Sequence, residues 1–184
     1  MFAKLKLAAV AWATVLLGVA AAADDAIQTL HAGAVTYEVP KAWHSERPSV
    51  AMRKAQIKVD PVAGDPEPAE MTVFALGGGG GGVEANTKRW EGQFSGEGGG
   101  PVEAKVEKKK GKNVDVTRVE LAGKYAGMGM GGQKSAPKGS QRLLGAILLD
   151  GDTLYTFKLT GPDKTVAAAS KAFDAMIASM AVEK

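Results

Sequence analysis

The chain has no cysteine among its 184 residues and only two histidines, His31 and His44. The first absence excludes disulfides, thiol nucleophiles, iron–sulfur clusters and cysteine-ligated zinc. The second leaves little for histidine-based acid–base catalysis. Aromatic residues are sparse as well, at 6% of the chain. The one long apolar run lies at the N-terminus, where Leu7 to Ala20 is apolar apart from Thr14. It falls short of the roughly 20 residues that a membrane-spanning helix needs.

Lys4 and Lys6 precede that run, and Ala21-Ala22-Ala23 separates it from Asp24-Asp25. A basic start, a short apolar stretch and small residues at the cut are the pattern of a secretory signal peptide. We therefore expect residues 1–23 to be a signal peptide cleaved after Ala23, and the protein to work in the periplasm or outside the cell. The 161 residues that remain (184 less the leader's 23) suit one domain. Losing Lys4 and Lys6 takes the formal charge from +3 to +1, too little to favour a nucleic-acid partner. No stable membrane insertion is expected after cleavage.

Residues 24–34 read as a flexible polar lead, and residues 35–184 as a single domain. The segment "VTYEVP", Val35 to Pro40, alternates apolar and polar residues as a half-buried strand does. "KAWHSERPS" follows as a loop carrying Trp43 and His44. Strands are expected through Ala55, Ile57 and Val59, and again over Met71 to Leu76. A helix is predicted from about Val83 to Phe94, with Val83, Asn86 or Thr87, Trp90 and Phe94 on its buried face.

"VEAKVEK" reads as a charged edge strand, and "NVDVTRVELAG" as its hairpin partner with a bulge near Thr117. "RLLGAILLD" and "TLYTFKLT" flank a turn at Asp150-Gly151-Asp152. The last segment predicts one amphipathic helix that buries Val166, Ala169, Phe173, Met176, Ile177 and Met180. The expected fold class is α+β: a central antiparallel sheet of about six or seven strands with helices packed on its faces.

The stretches "YEVPKAW", "NTKRWEGQF" and "YTFKLTGPDKTV", in that order, resemble the Mog/PsbP-like family between about Val35 and Met180. The resemblance implies an α/β/α sandwich with an antiparallel sheet between helices. It also implies non-catalytic work, as an assembly or stabilising factor or a partner of small GTPases. An exported chain would not meet a nuclear GTPase, and no position matches a photosystem factor's ion ligands. What the resemblance leaves is an extracytoplasmic bacterial relative.

Gly77 to Gly82 has the spacing of a phosphate loop, but Val83 and Glu84 stand where its lysine and hydroxyl belong. The run is therefore expected to be a slack connector. Asn86, Arg89 and Trp90 on the predicted helix, with Trp43 and His44 on the loop, are the candidate ligand- or partner-binding residues. Met128 and Met130, in "GMGMGG", are candidate soft ligands for Cu(I). His44-Ser45-Glu46 are adjacent in sequence, whereas a triad needs groups that converge in space.

No catalytic residue and no cofactor is therefore assigned. The expected function is a monomeric, non-catalytic binding or accessory protein that contacts a protein or envelope component through its glycine-rich loops. A periplasmic metal or small-ligand carrier is the alternative, and a hydrolase ranks below both. The leader makes a direct prediction: N-terminal sequencing of the protein recovered from an envelope fraction will begin at Asp24.

Overall fold

The run Leu143 to Leu149 has no polar face to give to water, so it calls for cover on both sides. The computed structural model describes residues 26–48, 50, 52–126 and 138–183. It places that run in β9 (Lys138–Asp150), inside an antiparallel sheet. The other strands of this sheet are β3 (Trp43–Glu46), β4 (Arg53–Val59), β5 (Ala69–Leu76), β6 (Phe94–Ser95), β7 (Lys105–Lys110), β8 (Asp115–Tyr125) and β10 (Thr153–Pro162). Their order is β3-β4-β5-β10-β9-β8-β6, with β7 also paired to β8. A second, three-stranded sheet holds β1 (Ile27–Ala32), β2 (Val35–Pro40) and β11 (Ala181–Val182).

Side-chain alternation sorts the core into two layers. Leu144, Ala146 and Leu148 of β9 join Ile57, Met71, Val73 and Phe157 in the first layer. The small sheet and the last two helices, α2 (Asp163–Ala168) and α3 (Ser170–Ser179), close over it. Tyr37 meets Phe157 edge-on there, with ring centroids 5.0 Å apart. Leu143 and Ile147 point the other way, into a smaller layer with Val119, Leu121 and Leu154. Trp90 and Phe94 cover that layer, Trp90 from helix α1 (Gly82–Glu91). Among the described residues, no helix is long and apolar enough to cross a membrane.

Several features differ from the expectations. Ile27–Ala32 is a strand where a flexible lead was expected, because each of its residues pairs with one of β2. The residues expected on the terminal helix's buried stripe are all buried, yet the helix divides at Ala169 and the chain ends as a strand. Asn113 secures that strand, accepting from the Val182 amide at 2.8 Å and donating to the Val182 carbonyl at 2.9 Å. The start of α2 is closed by a distant loop: Asp65 Oδ2 accepts from the Thr165 amide at 2.7 Å and from its hydroxyl at 2.6 Å.

No bulge occurs near Thr117; the register of β8 slips between Lys124 and Tyr125 instead. The apolar pattern changes phase because both faces of β8 are buried, Val116 in one layer and Val119 and Leu121 in the other. The glycine run is not slack either. Gly78–Gly81 forms a 3₁₀ turn, and each residue from Gly78 to Gly82 has positive φ. The Gly79 amide donates to the Asp152 carbonyl at 2.9 Å. A Cβ on Gly80 would lie 2.8 Å from Leu76 Cβ and 2.9 Å from Leu154 Cβ. Glycine is required here by conformation and by space.

Trp90 sits against the backbone of β9 at Gly145, where an added Cβ would fall 2.3 Å from Trp90 Cζ3. Gly145→Ala should therefore destabilise the fold by about 1–3 kcal/mol through overpacking. Pairing it with Trp90→Leu should recover part of that loss. A denaturant double-mutant cycle reads the coupling, and strictly additive effects would disprove the contact.

Candidate functional site

Helix α1 covers the second face of the large sheet over β8 and β9 but leaves β4, β5 and β10 less covered. A trough of about 580 Å³ lies beside it, within the size range of small-molecule sites. Its floor follows from strand register: Thr156 pairs with Phe74, Lys158 with Thr72 and Thr160 with Glu70. Alternation turns all six onto this face. Trp90 and Asn86 of α1 form part of one wall, with Arg89 exposed at its edge and Tyr125 of β8 close by.

Lys158 is the central ionisable group, half-buried in the floor. Its ammonium donates to Gln93 Oε1 at 3.1 Å and to the Tyr125 hydroxyl at 3.4 Å. It also lies 5.7 Å from the centroid of the Tyr125 ring. Burial lowers its pKa to about 8; the neighbouring Arg53 charge pushes the same way, and Glu70 opposes both. Among the described residues, Lys158 makes no ion pair.

The charges beside it are spoken for. Arg53 Nη1 donates to Glu70 Oε1 at 3.2 Å and to Gln56 Oε1 at 2.9 Å. Gln56 Nε2 reaches the other Glu70 oxygen at 3.0 Å. Two buried polar atoms of trough-lining residues, Arg53 Nε and the Thr160 hydroxyl, have no partner among the described residues and are closed off from the surface. Burial without a partner costs roughly 1–3 kcal/mol for such a group.

The expected binding residues divide. Asn86, Arg89 and Trp90 come together along the trough. Asn86 Nδ2 donates to the carbonyls of Gly80 at 3.0 Å and Gly82 at 2.7 Å, and Arg89 Nη1 donates to Asn86 Oδ1 at 2.9 Å. The helix therefore fastens the glycine turn to the trough wall. Trp43 is 5% exposed and belongs to the first core layer, so it offers no binding surface. His44 is exposed with Nε2 3.3 Å from Asp60 Oδ2, and neither it nor Trp43 lines the trough.

Met128 and Met130 lie outside the described residues. Among the described residues, no cluster of three or more histidines and carboxylates could hold a metal ion. Sequence reasoning missed the floor, although Thr72, Thr156, Lys158 and Thr160 are polar at alternate positions of strands that are otherwise apolar.

No protein-family model matches the chain, and no curated protein sequence matches it. Solved structures do. Cyanobacterial PsbP (CyanoP) from Synechocystis sp. PCC 6803 superposes with a TM-score of 0.52 at 12% identity, over 91% of this chain and 98% of that one. A protein from Bacteroides thetaiotaomicron matches at TM-score 0.50 and 11% identity over 86% of this chain, which spans about half (48%) of that protein. LpqN, a protein involved in cell envelope biogenesis of Mycobacterium tuberculosis, matches at TM-score 0.47 and 11% identity over 86% of this chain and 91% of its own. The fold is PsbP-like: an antiparallel sheet with helices on its faces.

The depressed lysine pKa has a measurable consequence. Between about 8 and the ordinary 10.5, the unfolded chain holds a proton on Lys158 that the folded protein has released. Wild-type stability therefore gains from this group as pH rises through that window, and a Lys158→Met variant lacks the gain. Denaturant midpoints compared across the window should move in favour of the wild type. A constant difference between the two proteins would refute the depressed pKa.

Proposed function

We propose that the protein is an extracytoplasmic, non-catalytic accessory protein that holds its ligand or partner at the trough beside α1. The observation that carries this reading is the trough itself: a cavity floored by hydroxyls and by a lysine that makes no ion pair among the described residues, with aromatic side chains along its wall. The leader pattern supports the location. The PsbP-like fold is compatible with an accessory role and specifies no chemistry.

Binding suits the site better than turnover. Lys158 contacts Gln93, which does not titrate, and Tyr125, whose pKa burial raises above its ordinary value. Neither neighbour can pass a proton to it or from it at neutral pH. The two histidines lie elsewhere, His31 on β1 and His44 on β3. The glycine-rich turn enters the reading as part of the site, because Leu76 and Asn86 on either side of it both line the trough.

The test is capture from a native envelope extract by the wild type, by Thr156→Arg, which fills the trough, and by Arg89→Glu at its exposed edge. Both variants should keep a cooperative unfolding transition, Thr156→Arg at a lower midpoint because it adds a charge at a buried position, and both should lose the captured component. Capture unchanged in both folded variants would show that the trough is not the contact surface.

A further inference from the structure

We propose that the trough binds a singly charged organic anion, a carboxylate carried on a flat aromatic body. This inference rests on the trough being the binding site and adds the chemical class of its occupant.

The ionic half of the argument begins with Lys158. A half-buried ammonium without a counter-ion among the described residues has given up water for one amide oxygen and one phenol oxygen. An isolated charge in such a place is costly unless a partner arrives. The groups facing it from the surrounding elements are Arg53 of β4, Glu70 of β5 and Tyr125 of β8, with Arg89 of α1 lining the same trough. Glu70 favours the ammonium through space, but its two oxygens are bonded to Arg53 and Gln56 and make no contact ion pair with the lysine. The Lys158 ammonium has three donors and uses two of them on Gln93 and Tyr125 among the described residues, leaving one for an incoming oxygen. A carboxylate presents two such oxygens.

Charge sets the limit on the ligand. Arg53, Arg89 and Lys158 line the trough against Glu67 and Glu70, three cations to two carboxylates, so one anionic charge balances the site and the second charge of a phosphate monoester exceeds it. A cation would meet Lys158 and Arg89. The apolar half of the argument comes from the walls. Phe74 and Tyr125 line the same trough and present ring surface, which favours a flat partner, while Trp90, 5% exposed, closes the wall beside them. Tyr125 is held by Phe94 at 5.0 Å between ring centroids, so its ring is positioned before any ligand arrives.

The experiment titrates the isotope-labelled protein with three probes of one shape, naphthoate, naphthamide and naphthylmethylammonium, following backbone amide and Trp90 indole signals by NMR. Naphthoate should shift signals of the trough and bind more tightly than the other two. Lys158→Met should weaken naphthoate binding about tenfold or more, the usual worth of a charged hydrogen bond. Lys158→Arg should restore most of it, and wild-type affinity should fall as pH rises through about 8.

Equal or tighter binding of the amide or the ammonium probe at the trough would overturn the anion assignment and leave the trough as a binding site. If no probe shifts trough signals, the proposal fails. The trough as a contact surface then stands or falls on envelope capture by the Thr156→Arg and Arg89→Glu variants.

Discussion

The seat of the Trp90 indole on Gly145 governs the geometry of the whole second face. An indole can approach a strand backbone closely only where no Cβ intervenes, and β9 supplies that gap among leucines and isoleucine. The contact fixes α1, and α1 holds the glycine turn through Asn86. Because α1 spans only Gly82–Glu91, it leaves part of the sheet less covered, and the uncovered part is where the strands carry threonines and a lysine. The trough follows from a short helix docked at one end of a wide sheet. Nothing in it requires a special motif.

Both faces of the sheet carry paired charges, and Lys158 on the second is the exception. On the first, Arg118 is buried yet fully engaged: it donates to Asp174 at 2.7 Å, to Glu120 at 2.8 Å and to Ser170 at 3.1 Å. Arg142 continues the network to Glu120 and, at 3.0 Å, to Asp163. Desolvation opposes these charges, and paired neighbours outweigh it: Glu120 stays below the ordinary carboxylate range although burial pushes the other way. This arrangement ties α2 and α3 to the strands. On the second face Lys158 has no such partner, and the difference marks a structural network on one side and an open requirement on the other. Removing one member of a closed network costs stability, whereas the unclosed site has binding capacity to spare.

Local pattern was legible in the sequence wherever one residue's neighbours in the chain decide its surroundings. Val35, Tyr37 and Val39 alternate visibly and are fully buried, and the stripe from Val166 to Met180 reads directly as a buried helix face. Pattern misled where tertiary contact decides. Ile27–Ala32 looks polar and becomes a strand only by pairing with β2. Six glycines resemble slack, yet Leu154 and Asp152, more than 70 positions later in the chain, pack against and bond to them. Lys158 was silent for the same reason. Its environment is made by Gln93 and Tyr125, 65 and 33 positions away, and only the folded sheet brings them to it. Asn86, Arg89 and Trp90 were expected together and lie together because a single helix carries all three.

The closure of α2 by Asp65 bears on how the molecule comes together. A six-residue helix is too short to persist alone in water, and the carboxylate that satisfies its first turn arrives from 100 positions earlier. Far from standing on local propensity, this segment is fastened by a contact that crosses the chain, so the loop between β4 and β5 carries a share of the cover over the first apolar layer.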